Sequence, residues 1–239
     1  MSHPPAYELM NGGDYNPYHL LIYMIANFIT TDANAPLIYH YPTSQHKLPE
    51  EMLALMPAHF VRHRVKDPAI QYKQLLHVKP WFPDWTLPQD YDFLRQLYAP
   101  HMQPRRPGLR IYISRRDAKT RRVANEDAVL AALLPLNFIP VTMGDLTAKE
   151  QIQMFSAADI IVGPHGAALT FMLFMDPAAT VIELNRPMEG KRHFSHIAWH
   201  LGLDYYKLTC KAADEVPDGD MEVDVGHLAA VLAANPKLK

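Results

Sequence analysis

Between Arg105 and Arg122 the chain carries eight Lys or Arg residues and one acid, Asp117, although over all 239 residues 23 basic side chains balance 25 acidic ones. A guanidinium is planar, permanently charged and shaped to take two phosphate oxygens at once. A departing diphosphate needs such neutralisation of its developing charge. The densest part, Ser114-Arg115-Arg116-Asp117-Ala118-Lys119-Thr120-Arg121-Arg122, follows the apolar Arg110-Ile111-Tyr112-Ile113 and leads into a helical pattern opening at Asn125-Glu126. That places it at a strand's carboxyl end, where anions bind; the plain alternative is a solvated charged loop. A second group is Gly163-Pro164-His165-Gly166-Ala167-Ala168-Leu169-Thr170. Its glycines allow a sharp turn and a close ligand approach to a helix N-terminus. His165 could donate a hydrogen bond to phosphate there, or be a satisfied histidine in a tight turn. A third group is Val181-Ile182-Glu183-Leu184-Asn185. Glu183 there either accepts from ribose hydroxyls or pairs with a loop arginine.

These three groups share one rim only if the elements between them alternate. From Arg110 they do. Strands are expected at Arg110–Ser114, Phe138–Val141, Asp159–Gly163, Thr180–Leu184 and Tyr205–Leu208. Helices are expected at Asn125–Leu134, Thr147–Ala157 behind the capping box Thr147-x-x-Glu150, Gly166–Met175, His193–Leu201 and Val225–Ala234. Such alternation predicts a parallel sheet of βαβ units, with ligands beyond the carboxyl ends of its strands. The acidic segment Asp214–Asp224 reads as a solvated loop.

The first part of the chain has another grammar. Fourteen of the 21 prolines lie within residues 1–107. Short elements fit between them: a helix at Tyr18–Ile29, strands at Pro36–Tyr41, His59–Val65 and Ile70–Val78, and helices at Pro49–Met56 and Pro88–Tyr98. The run Ala99-Pro100-His101-Met102-Gln103-Pro104-Arg105-Arg106-Pro107-Gly108 is the strongest linker signal. The reading is therefore a small α/β lobe over 1–104 and a regular lobe over 105–239.

Composition excludes several classes. A net charge of -2 argues against nucleic acid or an anionic membrane as the main partner. One cysteine, Cys210, makes no internal disulfide. The opening Met1–Asn16 is polar, unlike a secretory leader, and the longest apolar run, Tyr18–Ile29, is too short to span a bilayer. No Asn-x-Ser/Thr acceptor occurs. A soluble cytoplasmic protein is expected. No metal set is expected either. Asp90 and Asp92 open a helix, where positions i and i+2 do not face one site, Asp218 and Asp220 lie in the acidic loop, and the histidine pairs His59/His63 and His196/His200 lack an evident third ligand. There is no Gly-x-Gly-x-x-Gly, P-loop or Gly-x-Ser-x-Gly.

The order of the motifs Ile113-Ser114-Arg115, Arg121-Arg122-Val123-Ala124-Asn125-Glu126, Glu150–Asp159, Val162–Thr170 and Val181-Ile182-Glu183-Leu184 resembles glycosyltransferase family 61. Upstream, Asn16-Pro17-Tyr18-His19 is similar to the start of the family's first helix. The resemblance implies a GT-B-like α/β fold of two Rossmann-type lobes, a regular parallel-sheet nucleotide lobe and a short N-terminal lobe. It implies inverting transfer from a UDP-sugar donor, xylose or N-acetylglucosamine, to an oligosaccharide or glycoprotein acceptor, with neither a metal nor another cofactor. It further implies that Arg115, Arg121 or Arg122, Asn125, His165 and Glu183 face the nucleotide, with Ser114, Arg116, Gly166 and Ala167 on the same loops. Two departures stand out. Ala168 replaces the second glycine of the family's Gly-Ala-Gly-Leu-Thr-Asn and Phe171 its asparagine; and Tyr23 stands where many members carry an aspartate. The catalytic base is thus open among His19, Asp14 and Asp32, with Arg115 stabilising the leaving group. Two rival readings follow: a non-catalytic nucleotide-sugar or glycan-binding module of the same fold, and a dinucleotide oxidoreductase, which the missing glycine fingerprint disfavours.

Overall fold

The computed structural model describes residues 6–9, 21–22, 37–39, 47–57, 62–64, 75–77, 88–187, 192–216 and 219–238. The chain divides into two compact units, Met1–His101 and Met102–Lys239.

In the first unit, β1 (Ala6–Leu9), β2 (Leu37–Tyr39), β3 (Arg62–Arg64) and β4 (Leu75–His77) form a parallel sheet in the order β3-β2-β1-β4. That is the order of the first four strands of a doubly wound nucleotide-binding sheet. Two helices accompany it, α1 (Leu48–Ala54), with Pro49 in its first turn, and α2 (Pro88–Tyr98). They are tied by side chains that reach backbone carbonyls. The Tyr98 hydroxyl donates to the Met52 carbonyl at 3.1 Å and the His101 Nε2–H to the Leu55 carbonyl at 2.8 Å. Met52, Leu53, Tyr91, Leu94 and Leu97 are buried. Of the expected helix Tyr18–Ile29 only Leu21 and Ile22 are described, both buried in a π-helical turn. The base candidates His19, Asp14 and Asp32 lie outside the described residues, as does Tyr23.

The second unit contains the regular sheet. Its strands are β5 (Arg110–Ser114), β6 (Phe138–Thr142), β7 (Ile160–Pro164), β8 (Thr180–Asn185) and β9 (Asp204–Thr209). All four pairings are parallel, in the order β6-β5-β7-β8-β9. Side chains alternate across a strand, and one face carries Tyr112, Ile160, Val162, Ile182, Leu184 and Leu208. These pack with Val129 and Leu133 of α3 (Glu126–Leu133) and Leu228 and Leu232 of α6 (Val225–Ala234). The opposite parity, including Ile111, Ile113, Ile161 and Val181, is equally buried. Helices α4 (Ala148–Ala157) and α5 (His193–Leu201) flank the 3₁₀ helix Ala167–Phe174. Its Phe171 ring lies 5.8 Å from Phe155 and 5.9 Å from Phe174. Helices on both faces cover the central strands from both sides, which is why β7 and β8 are buried end to end.

Local chemistry sets the boundaries. Thr147 and Glu150 complete the capping box of α4, a device worth about 1 kcal/mol. Gly202 ends α5 at φ 71°, a left-handed conformation that glycine adopts without penalty.

Two expectations need correction. Gly166–Met175 is not an α-helix but the 3₁₀ helix Ala167–Phe174. Its residues Leu169–Phe174 are all buried, so no polar face defines a 3.6-residue period, and a tighter winding fits the space beneath α4 and α5. The acidic segment is not simply a solvated loop. It forms a hairpin of β10 (Lys211–Ala212) and β11 (Met221–Glu222), bridged to the basic loop at Val123 and Met221. Asp218 lies outside the described residues. Among the described residues no helix is long and apolar enough to cross a membrane.

Cys210, just past β9, is 2% exposed, and burial pushes its thiol up to about 11. Only the thiolate attacks a disulfide reagent. The native protein will therefore give no thiol reaction at neutral pH, and one equivalent will appear in concentrated guanidinium. Rapid native-state labelling would contradict the burial.

Candidate functional site

The order β6-β5-β7-β8-β9 reverses direction between β5 and β7, the switch point at which open α/β sheets bind ligands beyond their carboxyl ends. Two of the three groups singled out by sequence leave the sheet there. Ser114 and Arg115 follow β5, and His165 and Gly166 follow β7. The switch point also brings them together. A Cβ built on Gly166 would lie 2.4 Å from Arg115 Nη1 and 3.1 Å from its Cζ, so the guanidinium lies directly over the glycine backbone. Gly166 itself has φ 172°, extended backbone open to any residue. What requires glycine there is the arginine above it.

Arg115 has little to satisfy it. One amino group donates to the Thr120 carbonyl at 3.2 Å, and its buried Nε–H has no partner. Burial, and then the neighbouring charge of Arg121, hold the Arg115 pKa below its usual value, against a smaller opposing effect from Asp117. Arg121 likewise has a buried Nε–H without a partner, and it sits at φ 58°, a left-handed conformation that costs a non-glycine residue about 1 kcal/mol or more. Two guanidiniums are thus held side by side with unspent donors. A bound anion would relieve both the like-charge repulsion and the unpaired N–H groups.

Two other arginines of the loop are committed elsewhere. Arg116 donates to Glu126 and to Asp127. Glu126 is itself buried and takes a second bond from the Tyr112 hydroxyl at 2.8 Å. The paired carboxylate and burial drive the Tyr112 pKa far up. Arg122 pairs with Asp220 at 2.8 and 3.0 Å. Asn125 gives its whole carboxamide to Val223: Nδ2 donates to the carbonyl at 2.8 Å and Oδ1 accepts from the amide at 2.9 Å. Ser114 accepts from the Arg116 amide at 3.3 Å. Arg116, Arg122 and Asn125, expected to face the nucleotide, thus pin the loop to α3 and β11; a pocket of about 350 Å³ lies between Arg116, Arg122, Asp127 and Asp220. Arg115, Arg121 and Gly166 remain as the open part of the rim, with Ala167 opening the 3₁₀ helix.

The third group resolves an alternative that sequence left open. Glu183 on β8 is 1% exposed and bonds to His165 Nδ1 through one oxygen and to the Tyr205 hydroxyl through the other. Among the described residues it pairs with no arginine. His165, 4% exposed, stacks at 5.0 Å against the Phe194 ring of α5, and its amide donates to the Leu184 carbonyl at 2.8 Å. Sequence reasoning missed Tyr205 and Phe194. The signal for Tyr205 existed: in parallel register β9 pairs Tyr205 with Val181, two residues from Glu183 on the same sheet face. The buried Thr170 Oγ1 and Asn185 Oδ1, near the ends of the same loops, also have no partner. Among the described residues no three His, Cys, Asp or Glu side chains converge as a metal-binding group.

The hairpin that braces the basic loop is pH-sensitive. Hydrogen bonds hold both Asp214 and Asp220 below the ordinary aspartate value of 3.8, for Asp214 chiefly that from the Asp220 amide and for Asp220 chiefly that from Arg122. A lowered folded-state value contributes stability above the unfolded value, lost as the pH falls through the folded one. The destabilisation caused by Arg122→Ala will therefore be constant at neutral pH and shrink below pH 3.8. Denaturation of both proteins across that range checks it; a difference that persists at lower pH would contradict the ion pair.

Comparison with known proteins points the same way. A family model described as Glycosyltransferase 61 matches residues 18–182. The EGF domain-specific O-linked N-acetylglucosamine transferase of Canis lupus familiaris is 29% identical over 117 residues, 47% of this chain and 22% of that protein. Its Drosophila melanogaster counterpart is 35% identical over 94 residues, 38% of this chain and 18% of the relative. The beta-1,2-xylosyltransferase of Arabidopsis thaliana is 29% identical over 73 residues, 30% and 14% of the two chains. The matched stretch thus spans less than a quarter of each of these three relatives.

Proposed function

Since the chain belongs to glycosyltransferase family 61, we propose that Met102–Lys239 is the donor lobe of an inverting, metal-independent glycosyltransferase of GT-B-like organisation. It transfers a sugar from a UDP-sugar to a hydroxyl of an oligosaccharide or glycoprotein, the first unit serving the acceptor side. Xylose and N-acetylglucosamine are the donor sugars that the relatives' names favour.

The observation that carries this reading is Arg115 at the switch point, lying over Gly166 with its Nε–H unpaired and within the field of Arg121, whose Nε–H is also unpaired. In the reaction the acceptor oxygen attacks the anomeric carbon, and the bond from that carbon to the β-phosphate oxygen breaks. The electron pair leaves with UDP and the acceptor proton passes to a base on the far side, His19, Asp14 or Asp32. The guanidiniums meet the charge that grows on the diphosphate, the role a divalent cation plays in other transferases.

A thermal-shift screen of UDP, UDP-xylose and UDP-N-acetylglucosamine in EDTA, followed by assay of UDP release, tests the proposal. A ligand at ~100 times its Kd stabilises the native state by about 2.7 kcal/mol, roughly 5–10 °C for a chain of this size. No shift with any uridine nucleotide would overturn the reading. The non-catalytic alternative, which Tyr23 favours, separates in the same assay: it gives a shift but no UDP release with any donor and acceptor.

A further inference from the structure

The chain of bonds from Tyr205 through Glu183 to His165 comes in addition to the backbone pairing of β8 and β9 and reaches from that pair to the loop after β7. Burying a carboxylate is costly unless its oxygens are satisfied. Here both are, one by the imidazole and one by the phenol. A carboxylate only accepts, so the Nδ1 that meets it is the protonated nitrogen, and Nε2 is the ring atom left to meet a ligand. Three further contacts fix the ring. Phe194 packs on it at 5.0 Å, the His165 amide is anchored on β8, and the next residue, Gly166, lies beneath Arg115.

Position decides what such a fixed imidazole does. In an in-line displacement the attacking hydroxyl and the departing diphosphate lie on opposite sides of the anomeric carbon. A histidine one residue from the glycine that carries Arg115 is on the departing side, so it cannot also serve the attacking hydroxyl. We infer that Glu183 and Tyr205 are positioning residues that hold His165 with Nε2 toward the leaving diphosphate, where it hydrogen-bonds a β-phosphate oxygen. This inference rests on the donor-lobe reading. It takes Glu183 away from the ribose and gives Tyr205 a role. No proton needs to change hands: the carbon–oxygen bond breaks, the electron pair stays on the phosphate oxygen, and the hydrogen bond strengthens as that charge grows.

A residue that acts through His165 should matter only while His165 is present. The test is calorimetric titration of UDP into the full chain carrying Glu183→Gln, Tyr205→Phe or His165→Ala, and into the pairs Glu183→Gln/His165→Ala and Tyr205→Phe/His165→Ala. We expect affinity to fall about 10-fold for Glu183→Gln and roughly 3-fold for Tyr205→Phe, losses that correspond to about 0.5–1.5 kcal/mol for one orienting hydrogen bond. In the His165→Ala background each should cost less than about 1.5-fold, because coupled residues are not additive. Full, additive losses in the double variants, with UDP still bound by the parent, would overturn the relay and leave the donor-lobe reading standing. No UDP binding by the parent would overturn both. Tyr205→Phe removes a single hydroxyl from a half-buried ring, so it keeps the test decisive if the buried Glu183 variant does not fold.

Discussion

Replacing Arg115 by alanine should lower UDP affinity roughly 100-fold and leave the fold intact, because charge-assisted hydrogen bonds from a guanidinium to a diphosphate contribute about 1.5–3 kcal/mol each. In the free protein Arg115 makes one backbone bond, to Thr120, and leaves Nε–H unpaired beside a second guanidinium. Its removal therefore relieves repulsion and leaves no carboxylate unpaired. Unfolding followed by calorimetry should show a midpoint within about 2–4 °C of the parent, the change expected for about 1 kcal/mol in a chain of this length. Arg122→Ala should behave the other way round. It breaks the pair with Asp220 and weakens the hairpin, yet should alter UDP affinity far less. If Arg115→Ala binds UDP as the parent does, the guanidinium is not at the diphosphate site.

The second large effect comes from the residue beneath it. Gly166→Ala keeps every charge in the protein but sets a methyl group 2.4 Å from Arg115 Nη1. The backbone accepts alanine without strain, since φ is 172°. The far end of an arginine side chain is also free to move, so the conflict is resolved by displacing the guanidinium rather than by unfolding. UDP affinity should fall about 10- to 100-fold, approaching the Arg115→Ala value, as expected when a ligating group is misplaced by about 1 Å. Stability should change by less than about 1 kcal/mol. The double variant Arg115→Ala/Gly166→Ala should then bind no more weakly than Arg115→Ala alone. Undiminished UDP affinity in Gly166→Ala would show that the close approach of arginine and glycine is unrelated to binding.

Much of this architecture was legible because the second half changes period with each element. Arg110–Ser114, Phe138–Val141 and Thr180–Leu184 read as strands and lie within the observed ones, and helices α3 to α6 fall where the caps and apolar stripes put them. The carboxyl-end rim followed from that alternation alone. What was hidden depended on pairing over distance. Eight basic residues in one run look equivalent, but Arg116 is committed by Glu126 and Asp127 on the next helix and Arg122 by Asp220, 98 positions away. Local composition carries no trace of either commitment. Asn125 was expected at the nucleotide from the family resemblance alone, and its carboxamide bonds to the Val223 backbone. The 3₁₀ winding of Ala167–Phe174 was hidden for another reason: an all-apolar segment has no polar face from which to read a period. Tyr205 and Glu183 meet because β8 and β9 run parallel in a fixed register, which no short motif encodes.

The central claim is that this rim holds a nucleotide diphosphate with arginine, unaided by a metal. Calorimetric titration of UDP into the full chain, with and without EDTA, tests it most directly. Saturable binding of one UDP per chain with the same affinity in both buffers is expected, as is its loss in Arg115→Ala. Binding that appears only when a divalent cation is supplied, or no binding at all, would contradict it.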